Sequence, residues 1–368
     1  INWNRLNKIR FEDAPTDYIL LCKLVEKYNE MVGVTNTVEE TMEKFMKCAN
    51  ATLEETTINQ LKAWLEDGTL ENIIERGLLK YKVYFTSDYC KADGNTDNTA
   101  DLQKAINESE GFTLVFDAQS QPYRSSQLLL KSNTRYIFEQ NTVIKANDAW
   151  ISNELWQNAV IMLDEISNVE IYGNGAKITQ NRPATPTTEH ANCVGFVGCT
   201  NVYAESLVCE NANGDGIYID NHNDGKDLNN LRLYNFICNN CGRNGGSING
   251  GSNILISGCV FKNTNGIAPQ AGFDVEPLAR HLTCENIIFE NCIFENNQSA
   301  GIKVTGYGNT TGYSFYVKVK GCKSIENQFG FVVNNIMHSS GLIEYINCYS
   351  LKNRYCGVLD SDNDDSVN

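Results

Sequence analysis

The chain has 368 residues, of which 42% are hydrophobic and 20% charged, and its 28 glycines far outnumber its 6 prolines. This composition is globular, and it excludes disordered and collagen-like chains. The excess of 45 acidic over 30 basic residues gives a net charge of −15. We therefore predict no nucleic-acid partner, since nothing in the sequence forms a basic stripe that tracks a phosphate backbone. The same charge disfavours strongly anionic ligands unless Lys and Arg gather at the contact.

Cysteine usage and apolar runs narrow the class of protein further. Fourteen cysteines are spread over the chain, which predicts buried packing residues more readily than a disulfide framework. No apolar run is long enough to cross a bilayer, so we predict no membrane partner. The chain opens INWNRLNKIR, which is neither a signal peptide nor an initiator Met, and closes DSDNDDSVN. We expect residues 361–368 to begin a further C-terminal region or tail.

Residues 1–80 have a helical pattern. Asp13 and Thr16 are suitable N-caps for a run in which apolar residues recur every three or four positions. A second run follows from Val38, and the Asp67-Gly68 pair ends it. A narrow apolar stripe on a long helix needs partners. This segment is therefore predicted to be an α-helical stem that serves trimerisation and virion attachment.

From Tyr81 the pattern changes to short β-rich runs separated by Gly and Asn. One unit recurs from Asn201 onward, and the outward residues that follow its last strand are separated by 29, 27, 29 and 29 positions: Asp220, Asn249, Glu276, Thr305 and Asn334. A unit of this length cannot bury its own apolar face, whereas stacked copies can. The repeat predicts a mainly β solenoid, a parallel β-helix over residues 81–360, with coils about 4.8 Å apart.

The repeat also predicts which side chains stack. The interior ladder is predicted to contain Ile217, Ile219, Ile248, Phe273, Val275, Ile302, Val304, Phe331 and Val333. The turns are predicted to form one amide ladder of Asn211, Asn240, Asn263, Asn296, Asn327 and Asn353. Two registers of packing cysteines are Cys209 with Cys238, and Cys259, Cys292, Cys322 and Cys348.

The segment YCKADGNTDNTADLQKAINES resembles the opening motif of pectate-lyase-like β-helix proteins. The motif residues are Asp93, Gly94, Thr96, Asp97, Asn98, Thr99, Gln103, Ala105 and Ile106. The chain departs from the motif at Asn98, where Asp is usual, and at Cys90-Lys91, where a Gly often precedes. The resemblance implies a right-handed, pectin-lyase-like solenoid whose open end is covered by a cap helix near residues 99–108.

The stem end WLEDGTLENII, placed directly before such a cap, resembles tailspike and preneck appendage proteins of phages that infect Gram-positive bacteria. That resemblance implies a homotrimeric adsorption protein of the virion, assembled in the host cytoplasm. It also implies that the stem binds phage tail or connector proteins, and that the β-helix binds cell-wall polysaccharide or teichoic acid. Several members of that group degrade such polymers, so a depolymerase of the hydrolase class is expected.

Two outward columns follow from the register, and both contain carboxylates. One column is Tyr218, Ser247, Asp274, Lys303 and Val332, and the other is the set of residues used above to define the repeat. Asp274 and Glu276 are two apart on one strand and therefore point the same way, roughly 6–7 Å apart. Their proximity is expected to raise one pKa, while Lys303 holds the other down. We predict that this pair is catalytic, as acid and as base or nucleophile.

Other residues of the same face are predicted to bind the substrate: Asp220, Asp215, Tyr218, Asn249, Lys303 and Arg280. Arg280 suits a carboxylate or phosphate of the substrate, and Tyr218 suits stacking on a sugar ring. The Asp- and Asn-rich stretch around His222 lacks EF-hand spacing and its closing Glu. We therefore predict neither a metal nor a cofactor.

Three functions remain open from the sequence: a glycan-degrading spike, a receptor-binding spike without turnover, and a secreted polysaccharide lyase. The missing signal peptide and the self-associating stem disfavour the lyase. The sequence leaves open the sugar, the choice between glycosidic and phosphodiester cleavage, and whether the site lies within one chain or between chains.

Overall fold

The computed structural model describes residues 83–149, 158–222, 226–277, 283–306, 314–334, 336 and 340–361. Tyr84–Asn368 form a compact unit of their own. The predicted stem, the predicted tail after Ser361, and Arg280 lie outside the described residues.

The described chain winds into a β-helix with three parallel sheets, A, B and C. Sheet A contains β1 (Val83–Phe85), β2 (Thr113–Phe116), β5 (Arg135–Phe138), β8 (Ser167–Tyr172), β11 (Thr200–Glu205), β14 (Asn229–Tyr234), β17 (Gly251–Ser257), β20 (Thr283–Glu290), β23 (Ser314–Lys320) and β26 (Ser340–Ile346). Sheet B contains β3 (Tyr123–Ser125), β6 (Val143–Ala146), β9 (Lys177–Thr179), β12 (Val208–Glu210), β15 (Ile237–Asn239), β18 (Val260–Lys262), β21 (Ile293–Glu295), β24 (Lys323–Ile325) and β27 (Tyr349–Leu351). Sheet C contains β4 (Leu128–Leu129), β7 (Ala159–Asp164), β10 (Asn192–Val197), β13 (Ile217–Asp220), β16 (Gly246–Ile248), β19 (Phe273–Val275), β22 (Ala300–Thr305), β25 (Phe329–Asn334) and β28 (Cys356–Asp360).

Each coil contributes one strand to A, then to B, then to C, which gives about nine coils and confirms the predicted parallel β-helix. The strands are short because a residue in the left-handed region ends them at the corners. After sheet B, Asn211 has φ 57° and Asn240 has φ 55°. Asn tolerates this conformation better than other side chains that carry a Cβ, so the corner repeats wherever Asn recurs.

The core lies inside the coils and confirms the predicted interior ladder. Its members from Ile217 to Val304 are fully buried, and Phe331 is 3% exposed, whereas Val333 is only partly buried. Cys209 pairs with Cys238 in register, and both are buried free thiols. The ring of Phe261 stacks on that of Phe294 with centroids 5.6 Å apart. Aromatic and aliphatic side chains thus stack from coil to coil and bury a continuous core.

The predicted amide ladder is two ladders. Asn296 continues the left-handed positions of Asn211, Asn240 and Asn263, but in the next coils Glu326 and Lys352 take that position with φ 56° and 54°. Asn327 and Asn353 lie one residue later, where Asn297 donates to Asn327 Oδ1 at 2.9 Å and Asn327 donates to Asn353 Oδ1 at 3.2 Å. The prediction was wrong for Asn327 and Asn353. The left-handed position faces outward and accepts Glu and Lys as well as Asn, whereas the Asn at the next position hydrogen-bonds to buried backbone groups.

A helix, α1 (Thr99–Glu108), follows the Asp-Gly motif and buries Leu102, Ala105 and Ile106. It occupies the segment in which the resemblance implies a cap helix. The carboxylate of Asp97 accepts a hydrogen bond from the Thr99 backbone N–H at 2.9 Å, which satisfies a donor at the start of the helix. A 3-10 turn (Thr86–Asp88) precedes α1. No helix within the described part of the chain has the length and apolarity needed to cross a membrane.

Candidate functional site

The outward face of sheet C carries both predicted columns. Strand pairing aligns Tyr218 with Ser247, Ser247 with Asp274, Asp274 with Lys303, and Lys303 with Val332. In the second column Thr305 is aligned with Asn334, and the Glu276 backbone N–H donates to Ile248 O at 2.8 Å. The two columns therefore lie side by side across successive coils, as the repeat predicts.

Most of these outward side chains are shielded from solvent, although Glu276, Lys303 and Asn334 are only partly buried. Asp274 is 1% exposed, and Asp215 and Asp220 are fully buried. Apolar patches flank the carboxylates along the sheet: Ala159, Met162, Val197 and Tyr218 on one side, and Ala271, Ala300 and Val332 on the other. Carboxylates in such surroundings are not ordinary solvated surface, because burial strongly disfavours their charged form.

Asp274 is the most unusual group of this face. Neither of its carboxylate oxygens has a hydrogen-bond partner among the described residues. Burial raises the pKa of Asp274, although the charges of Lys303 and Arg243 act to lower it. The pKa of Glu276 is raised as well, so the prediction that Lys303 holds one pKa of the pair down was wrong. A buried polar group without partners costs stability. Such a group is more typical of a functional site than of a structural position.

Glu276 follows β19 directly and is only partly buried. Burial, followed by the charge of Asp274, raises the pKa of Glu276 to about 7, while Lys303 and Arg243 act in the opposite direction. The side chain is therefore protonated in a substantial fraction of molecules at neutral pH. This property matches a general acid.

Arg243 links the buried carboxylate of Asp215 to the exposed carboxylate of Glu189. Its Nη1 donates to Asp215 Oδ2 at 2.9 Å, and its Nε lies 3.3 Å from Glu189 Oε2. Asp215 also accepts hydrogen bonds from Ser247 Oγ at 2.6 Å and from the Asn244 backbone N–H at 2.9 Å. Burial raises the pKa of Asp215, and Arg243 opposes that shift. Burial itself acts to lower the pKa of Arg243, but the carboxylates around it raise the pKa above its usual range.

A second network surrounds Asp220. The Tyr218 hydroxyl donates to Asp220 Oδ2 at 2.8 Å, and Asn249 Nδ2 donates to the Tyr218 hydroxyl oxygen at 3.0 Å. Tyr218 is 4% exposed and Asn249 is 5% exposed, so neither offers a free face to a sugar ring in this conformation. We assign Asp215, Asp220, Tyr218 and Asn249 to shaping the site, and their direct contact with a substrate stays a prediction.

A long connection between β9 and β10, residues 180–191, brings a further carboxylate to the site. The Thr187 backbone N–H donates to Asn213 Oδ1 at 3.0 Å, and Asn213 Nδ2 donates to Thr187 Oγ1 at 3.0 Å. These contacts hold the connection against the next coil and place Glu189 at Arg243. His190 is part of the same connection and is partly buried.

Arg243 and Glu189 were missed by sequence reasoning, whereas Lys303 lies next to Asp274 as predicted. One signal was available for Arg243. It is a lone charged residue in the Gly-rich turn before a repeated strand, and Asp215 has the same place in the preceding coil. Nothing in the sequence indicated that Glu189 would reach across a coil. Among the described residues, no cluster of three or more His, Cys, Asp or Glu side chains has an arrangement that could hold a metal ion.

Comparison with known proteins shows the fold. The chain matches no family model and no curated protein. Among solved structures, it is similar to the endo-xylogalacturonan hydrolase from Aspergillus tubingensis, with 13% identity, a TM-score of 0.53, and coverage of 73% of this chain and 74% of that one. It is also similar to the pre-mature bacteriophage phi29 gene product 12, with 18% identity, a TM-score of 0.51, and coverage of 69% and 34%.

An N-terminal fragment of the same phi29 protein is similar with 15% identity, a TM-score of 0.52, and coverage of 75% of this chain and 57% of the fragment. This chain thus spans about a third of the length of the pre-mature phage protein. At such identities the likeness concerns fold alone. The chain has a parallel β-helix fold similar to that of this hydrolase and of the phi29 protein.

Proposed function

We propose that this chain is the β-helix part of a phage tailspike or appendage protein that binds a host cell-surface glycan and hydrolyses it. One observation carries the proposal: a buried, unpartnered carboxylate, Asp274, lies beside a partly exposed carboxyl group, Glu276, whose pKa is raised to about 7. Two carboxyl groups with different environments are the usual machinery of glycoside hydrolysis.

The two environments assign different roles. Glu276 is partly exposed and partly protonated, so it donates a proton to the leaving glycosidic oxygen as the bond from the anomeric carbon to that oxygen breaks. Asp274 is 1% exposed and both of its carboxylate oxygens are buried, so this face has to admit a water molecule beside them when the glycan binds. Asp274 then accepts a proton from that water as its oxygen bonds to the anomeric carbon. Burial raises the pKa of this base, and the positive charges of Lys303 and Arg243 oppose that shift.

The charge of this face favours a neutral glycan. The carboxyl groups on and beside it include Asp164, Glu189, Asp215, Asp220, Asp274 and Glu276, and the cations that act on the pair are Arg243 and Lys303. Arg243 is already engaged by Asp215 and Glu189. A polyanion such as teichoic acid meets net repulsion here, so we favour glycosidic cleavage over phosphodiester cleavage.

The rest of the proposed function concerns assembly. The predicted helical stem, residues 1–80, holds three chains together and attaches the spike to tail or connector proteins of the virion. The host is a Gram-positive bacterium, as the likeness of the stem end to appendage proteins of such phages implies. The likeness of the β-helix to a phage protein supports a place in the virion.

The test is to incubate the full-length protein with neutral wall glycan and, separately, with teichoic acid from Gram-positive bacteria. We expect new reducing ends from the neutral glycan. Cleavage of teichoic acid alone would retain a depolymerase but refute the assigned substrate class. The near-complete burial of Asp274 favours a second candidate, a receptor-binding spike without turnover, and tight binding with no released fragments would establish it.

A further inference from the structure

A polar groove runs along the corner between sheets B and C, away from the carboxylates of sheet C. It encloses about 500 Å³. In each coil the residues before and after a buried floor residue form its walls. One wall is Asn263, Asn296, Glu326 and Lys352, the other is Asn265, Gln298, Gln328 and Arg354, and the floor is Thr264, Asn297 and Asn327. We call this feature the corner groove.

The floor of the corner groove is rigid. Thr264 Oγ1 donates to Asn297 Oδ1 at 2.7 Å, and Asn297 Nδ2 donates to Asn327 Oδ1 at 2.9 Å. Asn327 Nδ2 also donates to Phe294 O at 3.0 Å. These buried bonds fix the backbone from which the wall side chains project, so a ligand does not have to order the site on binding.

The walls repeat with the coils. Each coil presents an equivalent pair of polar side chains, and neighbouring coils lie about 4.8 Å apart. Amide side chains both donate and accept hydrogen bonds, which matches the hydroxyl groups of a sugar. Glu326 lies 3.5 Å from Lys352 and partly neutralises it, and Arg354 is the other charged residue of the walls, in the last coil. A linear, hydroxyl-rich and mainly neutral polymer that runs along the axis of the β-helix meets the same donors and acceptors at every coil.

The protein already holds a segment of its own chain in the preceding part of this corner. Arg182, from residues 180–191, donates through Nη1 to Asn240 O at 2.8 Å and to Asn240 Oδ1 at 2.9 Å, and through Nη2 to Asn265 Oδ1. Asn240 is the coil equivalent of Asn263. A Cβ on Gly266 would lie 2.4 Å from Pro186 Cγ, so glycine is required for this close approach. Arg182 thus marks the end at which the corner groove begins.

We propose that the corner groove binds an extended segment of neutral glycan and holds the polymer whose cleavage is proposed at Asp274 and Glu276. The identity of the polymer rests on the proposed function, whereas the groove itself does not. Asn265 and Asp274 belong to the same coil, between β18 and the residue after β19. A glycan that lies in the corner groove therefore extends over the coils that follow the catalytic pair, and it binds at a distance from that pair.

The test compares the double variant Gln298→Ala/Gln328→Ala and the single variant Asn296→Ala with a matched control, Asn286→Ala. Asn296 and Asn286 are both exposed, with φ 52° and 53°. Asn296 donates to Asn263 Oδ1 at 2.8 Å, and Asn286 donates to Asn253 Oδ1 at 2.7 Å. Replacement therefore causes the same local loss in both, but Asn286 belongs to sheet A and lies outside the groove.

The probes are size-fractionated neutral wall glycans from a Gram-positive bacterium. We expect the double variant to bind the long fraction about tenfold more weakly than the wild type, with unchanged turnover of fragments too short to reach the groove. Three results would overturn the proposal. The double variant could bind the long fraction as tightly as the wild type does, Asn286→Ala could lose as much affinity as Asn296→Ala, or the wild type could bind no fraction at all. Groove-dependent binding without any cleavage by the wild type would retain the groove and refute the proposed hydrolysis.

Discussion

Replacement of Glu276 by Gln tests the electrostatics of the site through stability. In the unfolded chain a Glu ionises near pH 4.3, whereas the folded site raises the pKa of Glu276 to about 7. Between these pH values the unfolded chain releases a proton that the folded chain keeps, so stability falls as pH rises. The full shift corresponds to about 3.7 kcal/mol at 1.36 kcal/mol per pH unit. Partial exposure and coupling to Asp274 reduce this to roughly half.

Gln does not ionise, so the stability of Glu276→Gln increases relative to that of the wild type as pH rises. Between pH 5 and pH 8 we expect a relative gain of about 1.4 kcal/mol, or about 2 °C in Tm for a protein of this size. The assay is thermal unfolding of both proteins at the two pH values. Glu295→Gln is the matched control, because Glu295 is a partly buried outward carboxylate on sheet B, aligned with Lys262. The assigned environment of Glu276 would be refuted if the Tm of Glu276→Gln relative to the wild type were the same at both pH values, or higher at pH 5 than at pH 8.

Two further predictions follow from the same charges. Arg243→Met leaves the buried Asp215 carboxylate without its ion pair and is expected to destabilise the protein by about 3–5 kcal/mol in chemical unfolding. Arg243→Met/Asp215→Asn is expected to recover part of that stability, and no recovery would show that the two charges are not coupled. The rate of glycan cleavage, measured as kcat/KM against pH, is expected to fall on the alkaline side near pH 7 as Glu276 loses its proton; a constant rate up to pH 9 would exclude Glu276 as the acid.

The sequence is sufficient to predict the solenoid and its register. The 29-residue steps align Asp274 with Lys303 and Lys303 with Val332, as the strand pairs confirm. This works because a period-2 strand fixes which side chains point outward, and stacking fixes which of them become neighbours. The corner after sheet B is less predictable, because Asn, Glu and Lys all occupy its left-handed position.

The burial of the site could not be predicted from the sequence. The repeat places Asp274 and Asp220 on the outside of the solenoid, where a carboxylate is normally solvated, yet both are buried. Long connections of irregular sequence follow no period, and they bring groups such as Glu189 to Arg243 from another coil. Outward orientation and solvent exposure are therefore separate properties in this fold, and only the first is encoded in the repeat.

The central claim is that Asp274 and Glu276 form one hydrolytic pair. The most direct measurement is the release of reducing ends from neutral wall glycan by the wild type, Asp274→Asn and Glu276→Gln, alongside the affinity of each protein for the same glycan. The account predicts that both variants bind the glycan about as well as the wild type does, while their turnover falls at least a hundredfold. Turnover at the wild-type rate in either variant would contradict it.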